Sequence, residues 1–132
     1  MIEQWKDIPD FEGRYQVSDQ GRVKALFQWC AGHGSGYYKE AERIIKPRDD
    51  SKGYKFVLLY DGKGARRERR VNRLVAAAFC PPREGCNEVN HLNLNKGDNR
   101  AVNLEWCSHS ENIRHAIAHG VKVGRPRKAV TV

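Results

Sequence analysis

Apolar and polar positions interleave in Tyr15-Gln16-Val17-Ser18 and in Arg22-Val23-Lys24-Ala25-Leu26, the pattern of two short strands, with Ser18-Asp19-Gln20-Gly21 as the turn between them. The run Gly32-His33-Gly34-Ser35-Gly36 then punctuates the chain. Residues 54–60 are rich in aromatic and β-branched side chains, and Asp61-Gly62-Lys63-Gly64 supplies a flexible turn into a basic strand at 65–71, which predicts a second hairpin. Asn72 is placed to cap a short helix at 73–79. Leu74, Val75, Ala78 and Phe79 fall at helical spacing there, and Pro81-Pro82 ends it.

The next segment changes character. Glu88-Val89-Asn90-His91 reads as a strand end, the polar stretch 93–100 with Gly97 inside it as a loop, and 103–107 as a returning strand. Ser108-His109-Ser110-Glu111 is a capping box, so a helix is expected over 109–119, stopping at Gly120. The unit is strand, loop, strand, helix. Nothing beyond Gly120 is periodic, and 121–132 reads as a basic tail. The expected architecture is α+β: a β-hairpin-rich module over 1–71, the second unit with its lead-in helix over 72–119, and the tail over 120–132.

At 132 residues the chain has room for one compact domain or two small modules sharing a core, which excludes large cofactor folds. Its 24 Lys+Arg against 16 Asp+Glu leave a net charge of +8, which favours a polyanionic partner, nucleic acid before others. No stretch approaches the ~20 apolar residues of a membrane span. The start, Met1-Ile2-Glu3-Gln4-Trp5, lacks the basic and apolar regions of a secretory signal, so a cytoplasmic place is expected. Cys30, Cys80, Cys86 and Cys107 form no CxxC pair and read as free structural thiols. The weaker alternative is a zinc site in which Cys80, Cys86 and Cys107 meet with His33 or His109.

The 88–119 unit places His91 at the end of one strand, Asn103 at the start of the next and Asn112 one turn into the capped helix. A histidine near its neutral pKa can take a proton from water, and side-chain oxygens nearby can hold a hard divalent cation against a phosphate. The helix N-terminus adds a favourable field for the anion. Composition alone favours a plainer reading of the same residues, a hydrogen-bonded core histidine with turn-forming asparagines.

The string Val89-Asn90-His91, Asn99-Arg100, Asn103-Leu104-Glu105-Trp106 and Ser110-Glu111-Asn112-Ile113-Arg114-His115-Ala116 resembles the HNH nucleases of the phage and intron homing type, also called His-Me finger or ββα-metal endonucleases. The helix Asn72-Arg73-Leu74-Val75-Ala76-Ala77-Ala78-Phe79 is similar to the one that leads into that motif. Trp5-Lys6-Asp7-Ile8-Pro9-Asp10-Phe11, Tyr15-Gln16-Val17-Ser18 and Gly21-Arg22-Val23 resemble the modular DNA-binding domain often fused ahead of it. The resemblance implies a ββα-metal finger with His91, Asn103 and Asn112 as the three named positions. His91 would deprotonate the attacking water, Asn112 would help bind one divalent ion, and Asn103 would brace the loop. Asn90 stands where several relatives carry an acidic metal ligand, and His115, three residues beyond Asn112, is an auxiliary candidate. The expected cofactor is Mg²⁺ or Mn²⁺ rather than zinc, with no small-molecule cofactor.

The expected partner is double-stranded DNA, not a membrane. Arg66, Arg67, Arg69, Arg70, Arg100 and Arg114 are the phosphate-contact candidates, joined in the tail by Arg125, Arg127 and Lys128, where Gly124-Arg125-Pro126-Arg127-Lys128 resembles a weak AT-hook core. Because the four arginines of 66–70 alternate around Glu68, they cannot all face one side of a strand. Two readings stand beside each other: a metal-dependent endonuclease leaving 5′-phosphate and 3′-hydroxyl ends, and a DNA-binding module with a weakened or inactive site.

Overall fold

The computed structural model describes residues 2–32 and 34–120. Arg125, Arg127 and Lys128, and the zinc candidate His33, therefore lie outside the described residues. The N-terminal part is a four-stranded antiparallel meander in the order β1 (Trp5–Asp7), β2 (Tyr15–Ser18), β3 (Val23–Cys30) and β4 (Tyr37–Ile45). It is followed by a three-stranded sheet of β5 (Arg48–Asp49), β6 (Lys55–Tyr60) and β7 (Arg66–Arg70). The chain then forms α1 (Val71–Phe79), the two-stranded hairpin β8 (Glu88–His91) and β9 (Leu104–Cys107), a 3₁₀ turn at Ala101–Asn103 between them, and α2 (His109–Ala118).

Alternation explains the burial. Tyr15, Val17, Val23 and Ala25 point to one face of the first sheet, and Val57 and Leu59 do the same from β6. Leu74 and Val75 of α1 close over both, and Val89 and Leu104 extend the same cluster into the hairpin, so one core runs from the first sheet to β9. Polar bonds stitch the pieces: the Tyr15 hydroxyl accepts from the Tyr60 amide at 3.1 Å, Lys6 Nζ donates to the Ala78 carbonyl at 2.8 Å, and Trp106 Nε1 donates to the Ala76 carbonyl at 3.2 Å.

Several expectations need correction. The first helix begins at Val71, with Arg70 as its uncapped N-terminal flank, while Asn72 lies inside the helix and its Oδ1 accepts only from the neighbouring Arg73 amide at 2.9 Å. The strand expected at 22–26 continues to Cys30, which pairs with Tyr37 in a long hairpin whose second arm is β4. β1 and β5 are additional short strands. The second helix starts on the expected box, with the Ser108 hydroxyl accepting from the Glu111 amide and the Glu111 carboxylate from the Ser108 amide, and Gly120 follows at φ 77°.

Candidate active site

β8 and β9 pair with Glu88 opposite Cys107, Val89 opposite Trp106, Asn90 opposite Glu105 and His91 opposite Leu104. Alternation therefore divides the hairpin into two faces. Val89, His91, Leu104 and Trp106 share the face that joins the core. Glu88, Asn90, Glu105 and Cys107 share the other, where Glu88 is bonded to two side chains of α2.

His91 is only 5% exposed, and its Nε2 lies 2.8 Å from Asn99 Oδ1. With an amide oxygen as its partner, Nε2 carries the ring proton and neutral His91 presents Nδ1 as a lone pair. Nδ1 has no partner among the described residues. Burial holds the His91 pKa below its ordinary value and Lys96 adds to that push, while the Asn99 bond and the Asp98 carboxylate oppose it. The ring is therefore unprotonated near neutral pH, the state a base requires. Tyr54 lies beside it, ring centroids 6.1 Å apart, and is flanked by Arg70 at 4.2 Å and Lys96 at 4.6 Å.

Asn103 has no free end. Its Oδ1 accepts from the Asn93 amide at 3.0 Å, and its Nδ2 donates to Asn93 Oδ1 and to the Asp98 carbonyl, both at 2.9 Å. Its carbonyl accepts from the Leu92 amide at 2.8 Å. One buried side chain thus satisfies both limbs of the polar loop that leaves His91.

On the other face, Asn112 Nδ2 donates to Glu88 Oε1 at 3.0 Å, and Glu88 Oε2 lies 2.7 Å from His109 Nδ1. The Asn112 amide, followed by His109, holds the Glu88 carboxyl below the usual carboxylate range despite its partial burial. Asn90 Nδ2 donates to Glu105 Oε1 at 3.3 Å. Neither asparagine Oδ1 makes a hydrogen bond among the described residues. Among those residues no three His, Cys, Asp or Glu side chains converge on a metal position, so the donors that face α2 are amide oxygens with carboxylates behind them. His115 Nε2 lies 3.2 Å from the Leu92 carbonyl, which ties α2 to the loop. The cysteines are unpaired thiols; Cys107 is buried and its thiol is pushed up to about 11, chiefly by burial.

The arginines fall into distinct settings. Arg67 and Arg69 stand opposite Leu59 and Val57, and Arg66 and Arg70 opposite Tyr60 and Phe56, so they occupy both faces of β7 as alternation requires. Arg70 pairs with Asp50 at 3.1 Å. Arg100 is held by both Asp98 oxygens at 2.8 Å, and Arg114 is exposed on α2. Sequence reasoning missed Asn99 as the partner of His91, and Glu88 and Glu105 as the partners of the two asparagines. Strand alternation from Asn90 was the available signal for Glu88. His109, which the sequence offers only as a ligand in the weaker zinc alternative, is exposed and bonded to Glu88.

A β-rich module leading through one helix into a ββα hairpin with an inward histidine defines a nuclease-type fold. Residues 69–114 match the family model described as HNH endonuclease and residues 3–60 the model described as the NUMOD4 motif, so the chain carries an HNH endonuclease domain behind a NUMOD4 motif. DNA endonuclease I-HmuI of Bacillus phage SP01 is 32% identical over 117 residues, 89% of this chain and 59% of that protein. An uncharacterized HNH endonuclease of Acanthamoeba polyphaga mimivirus is 35% identical over 117 residues, 86% of this chain and 26% of that protein. The solved structure described as "DNA binding and cleavage by the HNH homing endonuclease I-HmuI" matches with a TM-score of 0.71 at 30% identity, over 92% of this chain and 62% of that one. The chain therefore spans less than two thirds of the length of each. HNH endonucleases generally use a divalent metal. No helix among the described residues is long and apolar enough to cross a membrane.

Proposed function

We propose that this chain is a metal-dependent endonuclease that hydrolyses phosphodiester bonds of double-stranded DNA inside the cell, leaving 5′-phosphate and 3′-hydroxyl ends. The observation that carries this reading is His91: buried, held neutral, with Nε2 committed to Asn99 and Nδ1 without a partner among the described residues. That ring takes the proton of the attacking water at Nδ1, while Asn99 fixes the tautomer and Asn103 fixes the loop. A divalent cation fits the donor set on the α2 face, because Asn90 and Asn112 offer unpartnered hard oxygens. It would supply neutralisation of the phosphate and of the departing 3′ oxygen. His115, already bonded to the Leu92 carbonyl through Nε2, would support the pair by holding α2 in place. The N-terminus of α2 adds its dipole beside the phosphate.

Residues 1–71 would dock the duplex, with 72–119 carrying the chemistry. Arg66 and Arg67 are exposed on β7 with no ion pair among the described residues, which suits phosphate contacts; Arg69, Arg70 and Arg114 stand beside them as candidates. The decisive experiment incubates the chain with strand-labelled duplex DNA in Mg²⁺ or Mn²⁺ and in a chelator. Metal-dependent cleavage with 5′-phosphate products is expected. DNA binding without cleavage in either metal would leave a binding module with an inactive site.

A further inference from the structure

Both asparagines that face α2 carry the same device. A carboxylate only accepts hydrogen bonds, so a glutamate beside an asparagine leaves one choice of flip: Nδ2 toward the carboxylate and Oδ1 away from it. Glu88 does this to Asn112 at 3.0 Å and Glu105 does it to Asn90 at 3.3 Å. The two glutamates reach their partners differently. Glu88 lies two residues before Asn90 on the same strand face and bonds across to α2, whereas Glu105 is the cross-strand neighbour of Asn90. Yet both leave an amide oxygen without a partner among the described residues. A hydrogen bond from the amide nitrogen to an anion also draws electron density toward the amide oxygen, which makes a neutral ligand behave more like a charged one.

We propose that Glu88 and Glu105 are positioning residues that lock the amides of Asn112 and Asn90 with both Oδ1 atoms free to face a divalent cation. The inference rests on the reading of this face as the metal site of a nuclease. It explains how a site with an amide at position 90 retains a hard-cation character: the negative charge stands one bond behind each ligand. His109 completes the arrangement by holding the second oxygen of Glu88 at 2.7 Å, so the carboxylate cannot swing away from Asn112.

The test uses the full chain without DNA, titrated with Mn²⁺ and followed by the electron paramagnetic resonance of the free ion. Glu88→Ala and Glu105→Ala are each expected to weaken Mn²⁺ binding by roughly 10–100-fold, the usual effect of losing a group that orients a metal ligand. The unfolding midpoint checks that each variant folds, with Glu88→Gln as the alternative where Glu88→Ala does not. Glu88→Ala in an Asn112→Ala background should cost little more, because the lock has nothing left to hold. In ¹⁵N-labelled metal-free protein, the side-chain amide signals of Asn112 and Asn90 should shift on loss of the matching glutamate. Folded glutamate variants that bind Mn²⁺ like the wild type would overturn the positioning role alone. An undiminished loss in the Asn112→Ala background would overturn it as well, since Glu88 would then act on the ion itself. A wild-type chain that binds no Mn²⁺ would overturn both this inference and the metal reading beneath it.

Discussion

Asn90 and His91 are adjacent in the chain and point to opposite faces of the hairpin, which in the proposed reading would separate metal holding from proton removal at the scale of two residues. For His91→Ala the expected result is a fall of roughly 10²–10⁴ in single-turnover cleavage, the range for loss of a general base, with duplex binding little changed. Near-normal cleavage would remove His91 from the mechanism. For Asn90 the structure alters what sequence alone suggests. A carboxylate at 90 gives a hard cation a charged ligand, which by itself predicts a lower Mg²⁺ requirement in Asn90→Asp. But Glu105 Oε1 lies 3.3 Å from the Asn90 nitrogen, so the substitution exchanges a hydrogen bond for two carboxylates in contact. Asn90→Asp alone should leave the Mg²⁺ midpoint of cleavage unchanged or raised, and Asn90→Asp with Glu105→Gln should lower it. If the single variant already tightens the Mg²⁺ dependence, Glu105 does not face that position.

The loop between β8 and β9 holds its shape through Asp98. This side chain accepts from Arg100 Nε and Nη2 and from Asn93 Nδ2, all at 2.8 Å, while its carbonyl accepts from Asn103. The hydrogen bonds from Arg100 hold the Asp98 carboxyl well below the usual carboxylate range. A group whose folded pKa is depressed stabilises the fold above its unfolded pKa and loses that contribution as pH falls toward the folded value. Asp98→Asn should therefore melt below the wild type by a constant margin from pH 7 to 5, and the margin should shrink below about pH 4, the ordinary aspartate pKa. A margin that is flat down to pH 2 would show that the charge of Asp98 is irrelevant to the loop. This loop also marks what the sequence makes legible. Its polar run, the two flanking strands and the capping box are local signals, and they place His91 and Asn112 on the elements expected, while Asn103, expected to open the second strand, ends the 3₁₀ turn just before it. β4 is not legible in the same way, because six of the first seven residues after its start at Tyr37 are exposed and no alternation develops; only pairing with β3 makes it a strand. The bond from Asn99 to His91 is equally hidden, since it depends on how an irregular loop folds back.

Across the whole molecule the N-terminal module is also a wall of the site. The turn after β2 brings Gly21 against the loop, where the Asp19 carbonyl accepts from the Ala101 amide at 2.8 Å. Gly21 sits at φ 83°, and a Cβ there would stand 2.9 Å from the carbonyl carbon and oxygen of Asn99, the residue that holds His91. Two effects oppose an alanine at this position. The left-handed backbone costs about 1–2 kcal/mol for any residue with a Cβ, and the contact forces either the turn or Asn99 to move. Gly13 separates the two, because it has φ 76° with nothing within 4 Å of its Cβ position. Gly13→Ala should lower the melting temperature by roughly 4–7 °C, the scale of that strain in a domain of this size, and leave cleavage of the folded protein intact. Gly21→Ala should melt lower still. Measured well below its own midpoint, it should also cleave roughly 10-fold or more slowly, because displacing Asn99 releases the Nε2 bond that fixes the His91 tautomer. Cleavage by folded Gly21→Ala that matches Gly13→Ala would mean that the module touches the loop without steering the histidine.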